Sequence, residues 1–185
     1  WVVVDMEYGI FLYKEGVLRL SSHPYDPDNL YDHFSHLTNH CIQVHSSNYE
    51  CLVEGNEMFF HDFRNYLTKY HPEVDLELDL LSQVRRQIYC TFQAIWGNLR
   101  SLNKFGGFQL YGFDFMIDSD YRVWLIEVNG APAAADRLKE QIAEDIIGLC
   151  IRPRFDPPQS RTDETRRIPH AFEHVVSTNV LDRYA

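Results

Sequence analysis

Short apolar runs, broken by glycine and by polar turns, open the chain and predict a strand-rich beginning. Trp1–Asp5 and Ile10–Lys14 consist mostly of β-branched, aromatic and aliphatic residues, which is typical of strands. Glu7–Gly9 supplies a turn between these two segments, and Gly16 marks a second turn before Val17–Leu20. We therefore expect three short strands, the first two paired as a hairpin.

Further along the chain, apolar residues recur at helical spacing and predict three helices. The first helix is expected to begin after Asn56 as its N-cap, the second to span Leu76–Trp96, and the third to span Ala134–Leu149. The residues expected to face inward are Phe59, Phe63, Tyr66, Leu67 and Tyr70 in the first helix; Leu81, Val84, Ile88, Phe92 and Ile95 in the second; and Leu138, Ile142, Ile146 and Leu149 in the third.

These elements predict an α+β fold, mainly antiparallel sheet with packed helices. A chain of 185 residues can form one domain with a sizeable core, which we assign to residues 1–158. Ser21–Ser35 and Asn98–Gly107 are expected to be loops. From Gln159 to Ala185 the periodicity fades, so a weakly ordered tail is expected there, with a short helix over His170–Val176 as its candidate element.

Two apolar segments near the C-terminal third carry isolated polar residues that indicate a site. Phe108–Asp118 and Val123–Pro132 are expected to form a hairpin around a polar turn. Asp114 interrupts an apolar strand, and Glu127 and Asn129 share one face of the other strand because they are two residues apart. A desolvated carboxylate needs a cation or strong donors. The three oxygen-bearing side chains therefore predict a site for a hard cation such as Mg²⁺. The alternative is a solvated sheet face.

Bulk properties narrow the classes of partner. The formal net charge is −10 and the sequence pI is about 5.3, which argues against a nucleic-acid partner or an anionic membrane surface. The four cysteines are scattered, and no run of eighteen apolar residues occurs, so a reducing, cytoplasmic location is expected. Because the chain begins within a strand-like segment and without Met, we expect it to be part of a longer protein.

Other constellations of polar residues are less specific. His36–Cys41 concentrates hydrogen-bonding groups, which fits a loop that contacts phosphate or sugar; local side-chain capping is the alternative. With His33, His45 and Cys51, a zinc site is a weaker alternative, because the spacing is irregular. Arg19 follows a turn and would suit a transferring phosphoryl group if it pointed toward the hairpin.

The sequence contains no evident nucleophile–base pair and no glycine-rich phosphate loop of the P-loop or Gly-x-Gly-x-x-Gly type. From the residues alone, the site is interpreted as a Mg²⁺-dependent, phosphate-handling hairpin.

Five blocks in this chain resemble the C-terminal half of the tubulin–tyrosine ligase family, which belongs to the ATP-grasp superfamily. The blocks keep their order over roughly residues 1–158. They are Tyr13–Arg19, His36–Gln43, Glu54–Phe60, Phe108–Asp118 and Trp124–Pro132.

The resemblance implies the C-terminal part of an ATP-grasp fold and an ATP- and Mg²⁺-dependent ligase. Free tyrosine would be joined to the C-terminal carboxylate of detyrosinated α-tubulin, within the αβ-tubulin heterodimer, through an acyl phosphate. Asp114, Glu127 and Asn129 would hold Mg²⁺ and the nucleotide phosphates, and Arg19 would reach the phosphate end. Arg19 and Glu127 are the expected catalytic residues. The residues implied to line the nucleotide site are His36, Leu37, Thr38, Asn39 and Ile126.

Two alternatives to a tyrosine-adding ligase remain. Polyglutamylases of the same family share His-Leu-Thr-Asn, whereas His40–Gln43 favours the tyrosine-adding type; a glutamate- or glycine-adding ligase is the alternative. The family's N-terminal portion, with its nucleotide-gripping lysines, has no counterpart in these residues. We therefore expect this chain by itself to be catalytically incomplete, and a tubulin-binding fragment is the second alternative. A tubulin ligase is expected in the cytoplasm, associated with the cytoskeleton.

Overall fold

The structure is a computed structural model, and it describes residues 1–102, 107–155 and 170–184. The chain forms two compact units. The sheet unit comprises Trp1–Lys14 and Val74–Ala185, and the inserted unit comprises Glu15–Glu73. The sequence predicted one domain over 1–158; in the structure, residues 15–73 form a compact unit of their own.

In chain order the strands are β1 (Val2–Asp5), β2 (Gly9–Tyr13), β3 (Val17–Arg19), β4 (Glu57–Phe59), β5 (Phe108–Ile117), β6 (Val123–Asn129) and β7 (Phe172–Val176). The helices are α1 (His33–His36), α2 (His40–Gln43), α3 (Phe60–Tyr70), α4 (Ser82–Leu102), α5 (Lys139–Ile146), α6 (Arg152–Phe155) and α7 (Thr178–Leu181). A π-helical turn, Leu76–Leu81, precedes α4, and another, Ile147–Ile151, joins α5 to α6.

The sheet unit is built on five antiparallel strands in the order β6-β5-β1-β2-β7. The predicted α+β class, mainly antiparallel sheet with packed helices, is confirmed. β1 and β2 form the predicted hairpin around Glu7–Gly9, with Val2 opposite Leu12 and Val4 opposite Ile10. β1 is the central strand, which explains why every one of its residues is buried.

Side chains alternate across β1 and feed two cores. Val2 and Val4 pack with Ile88, Phe92 and Trp96 of α4 on one face. The residues of the other core include Val3, Phe11, Ile142 and Leu149. Full burial of an apolar side chain of this size contributes about 1.5–3 kcal/mol, so the four-residue repeat along α4 holds that helix to the sheet.

The buried face of α4 differs from the prediction at one position. Ile95 is 39% exposed, while Trp96 is completely buried. Ile88, Phe92 and Trp96 are each four residues apart and so lie on one face of the helix. Trp96 can be buried because its indole Nε1 donates a hydrogen bond to Asp182 Oδ1 at 2.8 Å. The helix also continues to Leu102, into the segment predicted as a loop; residues 103–106 of that loop lie outside the described residues.

A paired charge lies inside the sheet unit at the end of β1. Asp5 is fully buried and accepts two hydrogen bonds from Arg154, at 2.9 Å from Nη1 and 3.0 Å from Nη2. Asp5 Oδ1 also accepts from the backbone N–H of Glu7 and of Tyr8. The bidentate pair joins β1 to α6, and removing either partner would leave a costly unpaired charge.

The C-terminal region contains a strand where a short helix was predicted, so that prediction is wrong. Phe172–Val176 pairs with β2 through Ile10–Tyr13, and Phe172 and Val176 are buried. Of the segment expected to be weakly ordered, residues 170–184 therefore belong to the folded sheet unit. Residues 159–169 and 185 lie outside the described part of the chain.

The inserted unit contains β3 paired with β4, followed directly by α3. The helix predicted to start after Asn56 begins at Phe60, with Phe59 as its N-cap residue. Asn56 instead joins two loops: its Nδ2 donates to Ser22 Oγ at 2.8 Å, and its Oδ1 accepts from the Glu50 N–H at 2.9 Å.

No helix in the described ranges is long and apolar enough to cross a membrane.

Candidate functional site

The hairpin of β5 and β6 brings the three predicted metal-binding side chains to one place. Asp114 is directly opposite Glu127, and Gly112 is opposite Asn129. Cross-strand partners in an antiparallel pair share a face of the sheet, so all three polar side chains project on the same side. A bulge follows the Asp114–Glu127 pair and changes the register before Phe115 pairs with Leu125.

The amide of Asn129 lies between the two carboxylates. Its Nδ2 donates to Asp114 Oδ2 and to Glu127 Oε1, both at 3.1 Å. A single donor thus occupies the point where a cation would interact with both acids. Because the amide oxygen and nitrogen are interchangeable by a rotation of the side chain, Asn129 can equally present its oxygen to a cation. Two carboxylates and an amide oxygen form a donor set that fits Mg²⁺.

Contacts that the sequence did not single out support this arrangement. Gly112 lies under Pro132, and a Cβ atom at position 112 would be 2.7 Å from the Pro132 Cβ. Gln109 Nε2 donates to the Gly130 carbonyl at 2.7 Å, and Trp1 Nε1 donates to the Ala133 carbonyl at 3.0 Å. These contacts fix the chain just after Asn129. Gly112 could have indicated this contact from the sequence, because a glycine inside a strand often marks a place where another part of the chain approaches the backbone closely.

Asp118 organises the turn of the hairpin. Its Oδ1 accepts from the N–H groups of Asp120 and Arg122, both at 2.9 Å, and its Oδ2 accepts from Trp124 Nε1 at 2.8 Å. The hydrogen bond from Trp124 is the main reason that the pKa of Asp118 is lowered. Asp118 therefore stabilises the turn, while Asp114 projects from the strand toward Asn129. The role of Asp118 could have been predicted from the sequence, because Asp is common at the start of a turn.

Two other predicted residues project from strands. Ile126 is 59% exposed and lies at the register change of β6, next to Glu127. Arg19 ends β3, is exposed, and is opposite Glu57. Arg19 belongs to the inserted unit, and its role at the phosphate end stays a prediction.

Four of the residues predicted to contact the nucleotide run from the last residue of α1, His36, to the N-cap of α2, Asn39. His36 Nε2 donates to the Asn29 carbonyl at 2.9 Å, and Leu37 is 41% exposed. Thr38 and Asn39 follow, and Asn39 is the exposed N-cap residue of α2 with no side-chain capping bond. The local-capping alternative therefore does not account for the Asn39 side chain, and the nucleotide role of these four residues stays a prediction.

Gln43 shapes this segment and was missed as a structural residue. It is buried, and its Nε2 donates to the Leu37 carbonyl at 2.6 Å and the Phe34 carbonyl at 3.2 Å. Its Oε1 accepts from the Ser22 N–H at 2.8 Å. One amide thus ties together the chain before and after His36.

The weaker zinc alternative gains no support. Within residues 1–102, 107–155 and 170–184, no group of three or more His, Cys, Asp and Glu side chains is arranged to hold a metal ion. All four cysteines are free thiols. The hairpin site differs from such groups because its third side chain is an amide.

Comparison with known proteins places this chain in a family. The model of the tubulin-tyrosine ligase family matches residues 1–164. "Tubulin glycylase 3C" of Tetrahymena thermophila is 32% identical over 77% of this chain, and the human protein named "Probable tubulin polyglutamylase TTLL2" is 33% identical over 76% of it. "Tubulin glycylase 3B" of Drosophila melanogaster is 28% identical over 96% of the chain.

These matches cover 14% of the length of the first of those relatives and 24% of the other two. The family match extends over most of the sequence and includes both strands of the hairpin site. The chain therefore belongs to the tubulin–tyrosine ligase family.

Proposed function

We propose that this chain carries the Mg²⁺- and ATP-phosphate-binding part of a ligase that attaches an amino acid to tubulin. The observation that supports it most directly is the position of the Asn129 amide, within hydrogen-bonding distance of both Asp114 and Glu127. The α+β fold and the family's ATP-grasp-like character agree with this role.

In this proposal, Asp114, Glu127 and Asn129 hold Mg²⁺ on the rigid hairpin. A bound Mg²⁺ would neutralise charge on the phosphates of ATP. Arg19 interacts with the γ-phosphate, and His36, Leu37, Thr38, Asn39 and Ile126 line the nucleotide site. The remaining task of the site is to position reactants and exclude water, which requires no enzyme nucleophile.

The proposed reaction has two steps. A substrate carboxylate first attacks the γ-phosphorus of ATP, which forms an acyl phosphate and releases ADP. The amino group of the incoming amino acid then attacks the acyl carbon, an amide bond forms, and phosphate leaves with the electron pair of the broken C–O bond. In the tyrosine-adding form, the carboxylate is the C-terminus of detyrosinated α-tubulin. A tubulin substrate implies a cytoplasmic, cytoskeleton-associated enzyme.

The identity of the amino acid has two candidates, each with its own support. Tyrosine is favoured by the resemblance of His40–Gln43 and Glu54–Phe60 to the tyrosine-adding type. Glycine or glutamate is favoured by the names of the relatives, which are glycylases and polyglutamylases. Gln43 and Asn56 lie in those two blocks and are buried in structural hydrogen bonds, so part of that resemblance reflects the local fold.

The test uses the full-length protein that contains this chain, with αβ-tubulin, ATP, Mg²⁺ and labelled tyrosine, glutamate or glycine in separate reactions. We expect incorporation of one amino acid to depend on ATP and Mg²⁺. Asp114→Asn should lower turnover on the order of 10²-fold or more, because it removes a charge that holds the metal. Asp120→Asn, in the exposed hairpin turn, is the matched control and should retain activity.

Two results would contradict parts of the proposal. Full turnover by Asp114→Asn would remove the hairpin from the chemistry. Co-sedimentation with microtubules, without incorporation of any of the three amino acids, would favour the tubulin-binding alternative.

A further inference from the structure

The inserted unit contains an open groove of about 370 Å³ with a mostly apolar lining. Tyr31, Phe34 and, from α2, Ile42 contribute apolar side chains to the lining. Asp32 and His45 add polar groups to the lining. Residues 36–39, which are predicted to contact the nucleotide, do not line it.

Beside the groove, the loop before α1 exposes large apolar side chains. Tyr31 is 92% exposed, Leu30 is 74% exposed and Tyr25 is 72% exposed. Exposed apolar groups clustered next to a groove are characteristic of contact surfaces. Tyrosine is also among the residue types that contribute most to binding energy at such surfaces.

Side-chain hydrogen bonds hold this loop in shape. Asp32 accepts from the Phe34 N–H at 3.0 Å and from His23 Nδ1 at 2.8 Å. The hydrogen bond from His23 is the main cause of the lowered pKa of Asp32, so this carboxylate stays charged at neutral pH. Asp26 accepts from the Asp28 N–H at 3.0 Å. A partner would therefore meet an ordered surface, which reduces the entropy lost on binding.

Apart from its histidines, two of which (His33 and His45) line the groove, this region carries charged side chains of one sign. Between Leu20 and Phe63 the sequence contains no Lys or Arg, and it contains seven carboxylate side chains: Asp26, Asp28, Asp32, Glu50, Glu54, Glu57 and Asp62. An acidic segment, such as a tubulin tail, would be repelled here, whereas a basic segment would be attracted. Charge complementarity thus selects among the possible occupants of the groove.

We propose that this groove docks a basic segment of a partner protein, in which Lys or Arg residues flank an aliphatic side chain. The aliphatic side chain packs between Tyr31 and Ile42, while the cations face Asp26, Asp28 and Asp32. The groove lining does not include residues 36–39, although Tyr25 packs against the His36 ring. Peptide affinity tests this proposal and amino-acid incorporation tests the proposed function, so the failure of one can be distinguished from the failure of the other.

The test measures binding of the whole chain to a fluorescein-labelled peptide of repeated Lys-Leu-Gly units by fluorescence anisotropy. A peptide of repeated Glu-Leu-Gly units is the charge-reversed probe. We expect the basic peptide to bind, with affinity falling as salt is added, and the acidic peptide to show no binding. Tyr31→Ala should weaken binding about tenfold.

Matched variants separate the groove from the general negative charge of the chain. Asp26→Asn with Asp28→Asn should weaken binding several-fold and flatten its salt dependence. Tyr70→Ala, and Asp62→Asn combined with Glu73→Gln, alter the same kinds of residue away from the groove lining, and should stay within about twofold of the parent. Circular dichroism checks that each variant is folded.

Equal weakening by the groove and control variants would overturn the proposal in favour of non-specific attraction. Binding of the acidic peptide would also overturn it, as would the absence of binding by the basic one.

Discussion

The charges of carboxylates are compensated in two different ways in this chain. Asp5 is buried and shares the guanidinium of Arg154, so a fixed internal cation compensates its charge. Asp114 and Glu127 are exposed and share the neutral amide of Asn129. A neutral donor stabilises a carboxylate less than a cation does, so a bound cation would stabilise these two carboxylates further, as the proposed function requires.

Cys150 gives a prediction for stability at alkaline pH. Burial raises its pKa from the ordinary value of 9.0 to about 12, and Asp5 adds to the effect. Since the folded state holds the thiol proton more tightly than the unfolded state, the resulting stabilisation is complete below pH 9. It is lost as the pH rises from 9 to about 12. The urea midpoint of Cys150→Ala should therefore fall less between about pH 8 and about pH 11 than that of the parent.

Thiol reactivity checks the same residue independently. Cys41, Cys51 and Cys90 are exposed, and Cys150 is buried. At about pH 8, a disulfide reagent should modify the three exposed thiols quickly and the fourth only after denaturation. Four fast thiols in the native protein, or an identical alkaline loss in Cys150→Ala, would contradict this picture.

For single residues, the sequence indicated a functional role where a polar side chain stands among apolar neighbours. It did not indicate a structural role where the hydrogen-bonding partner is far away in the chain. Asp114 stands out because its neighbours are apolar, and the cross-strand position of Glu127 follows from the hairpin. Asn56 was predicted as a helix N-cap and Gln43 was noted only as part of a family block. Their structural roles were missed because their burial depends on backbone groups of other loops. The partner of Asp5 is Arg154, which no local pattern could indicate.

At the scale of elements, strong periodicity was enough to predict α4 and the two hairpins. The boundaries were less predictable: Glu57–Phe59 pairs with β3 and so delays the start of α3 to Phe60. β7 was predicted as a helix because His170–Val176 is too short for its period to be decisive. Its strand conformation comes from pairing with β2, which no local window contains.

Gly9 gives a prediction for the sheet itself. Its φ is +134°, and an added Cβ would lie 2.2 Å from the Val176 carbonyl oxygen. Gly9→Ala should therefore combine backbone strain with a clash against β7, and lower the free energy of unfolding by about 1–3 kcal/mol. Chemical denaturation of the two proteins measures this difference.

Gly130→Ala is the control for that variant, because a Cβ atom at position 130 would have no atom within 4 Å of it outside the neighbouring residues. Its free energy of unfolding should stay within about 0.5 kcal/mol of the parent. Equal stability of Gly9→Ala and the parent would show that β7 does not approach β2 closely.

At the scale of the whole molecule, buried apolar side chains are unevenly divided. Among the described residues of the inserted unit, the buried apolar side chains are Phe59 and Leu67; the two multi-residue cores both belong to the sheet unit. The inserted unit instead relies on buried polar groups such as Gln43 and Asn56. Its stability therefore depends more on hydrogen bonds than on apolar packing.

Hydrogen exchange followed by mass spectrometry should show this difference. Amides in residues 15–73 are expected to exchange faster than those of β1, β2 and α4, because local opening there disrupts fewer apolar contacts. Comparable protection in both units would contradict the expectation. Gln43→Ala should accelerate exchange in residues 33–43 first, since it removes the bonds to Phe34 and Leu37.

The strand order also means that two paired strands, β2 and β7, are synthesised far apart in time. β2 leaves the ribosome before its partner β7, which follows more than 150 residues later, with Ile10 pairing with Val176. At about 5–20 residues per second, this interval is on the order of 10–30 s. Throughout that time one edge of the nascent hairpin is open to other chains, a hazard for strands that wait for distant partners. Slow elongation should therefore lower the yield of soluble protein, and chaperones that cover emerging strands should restore it.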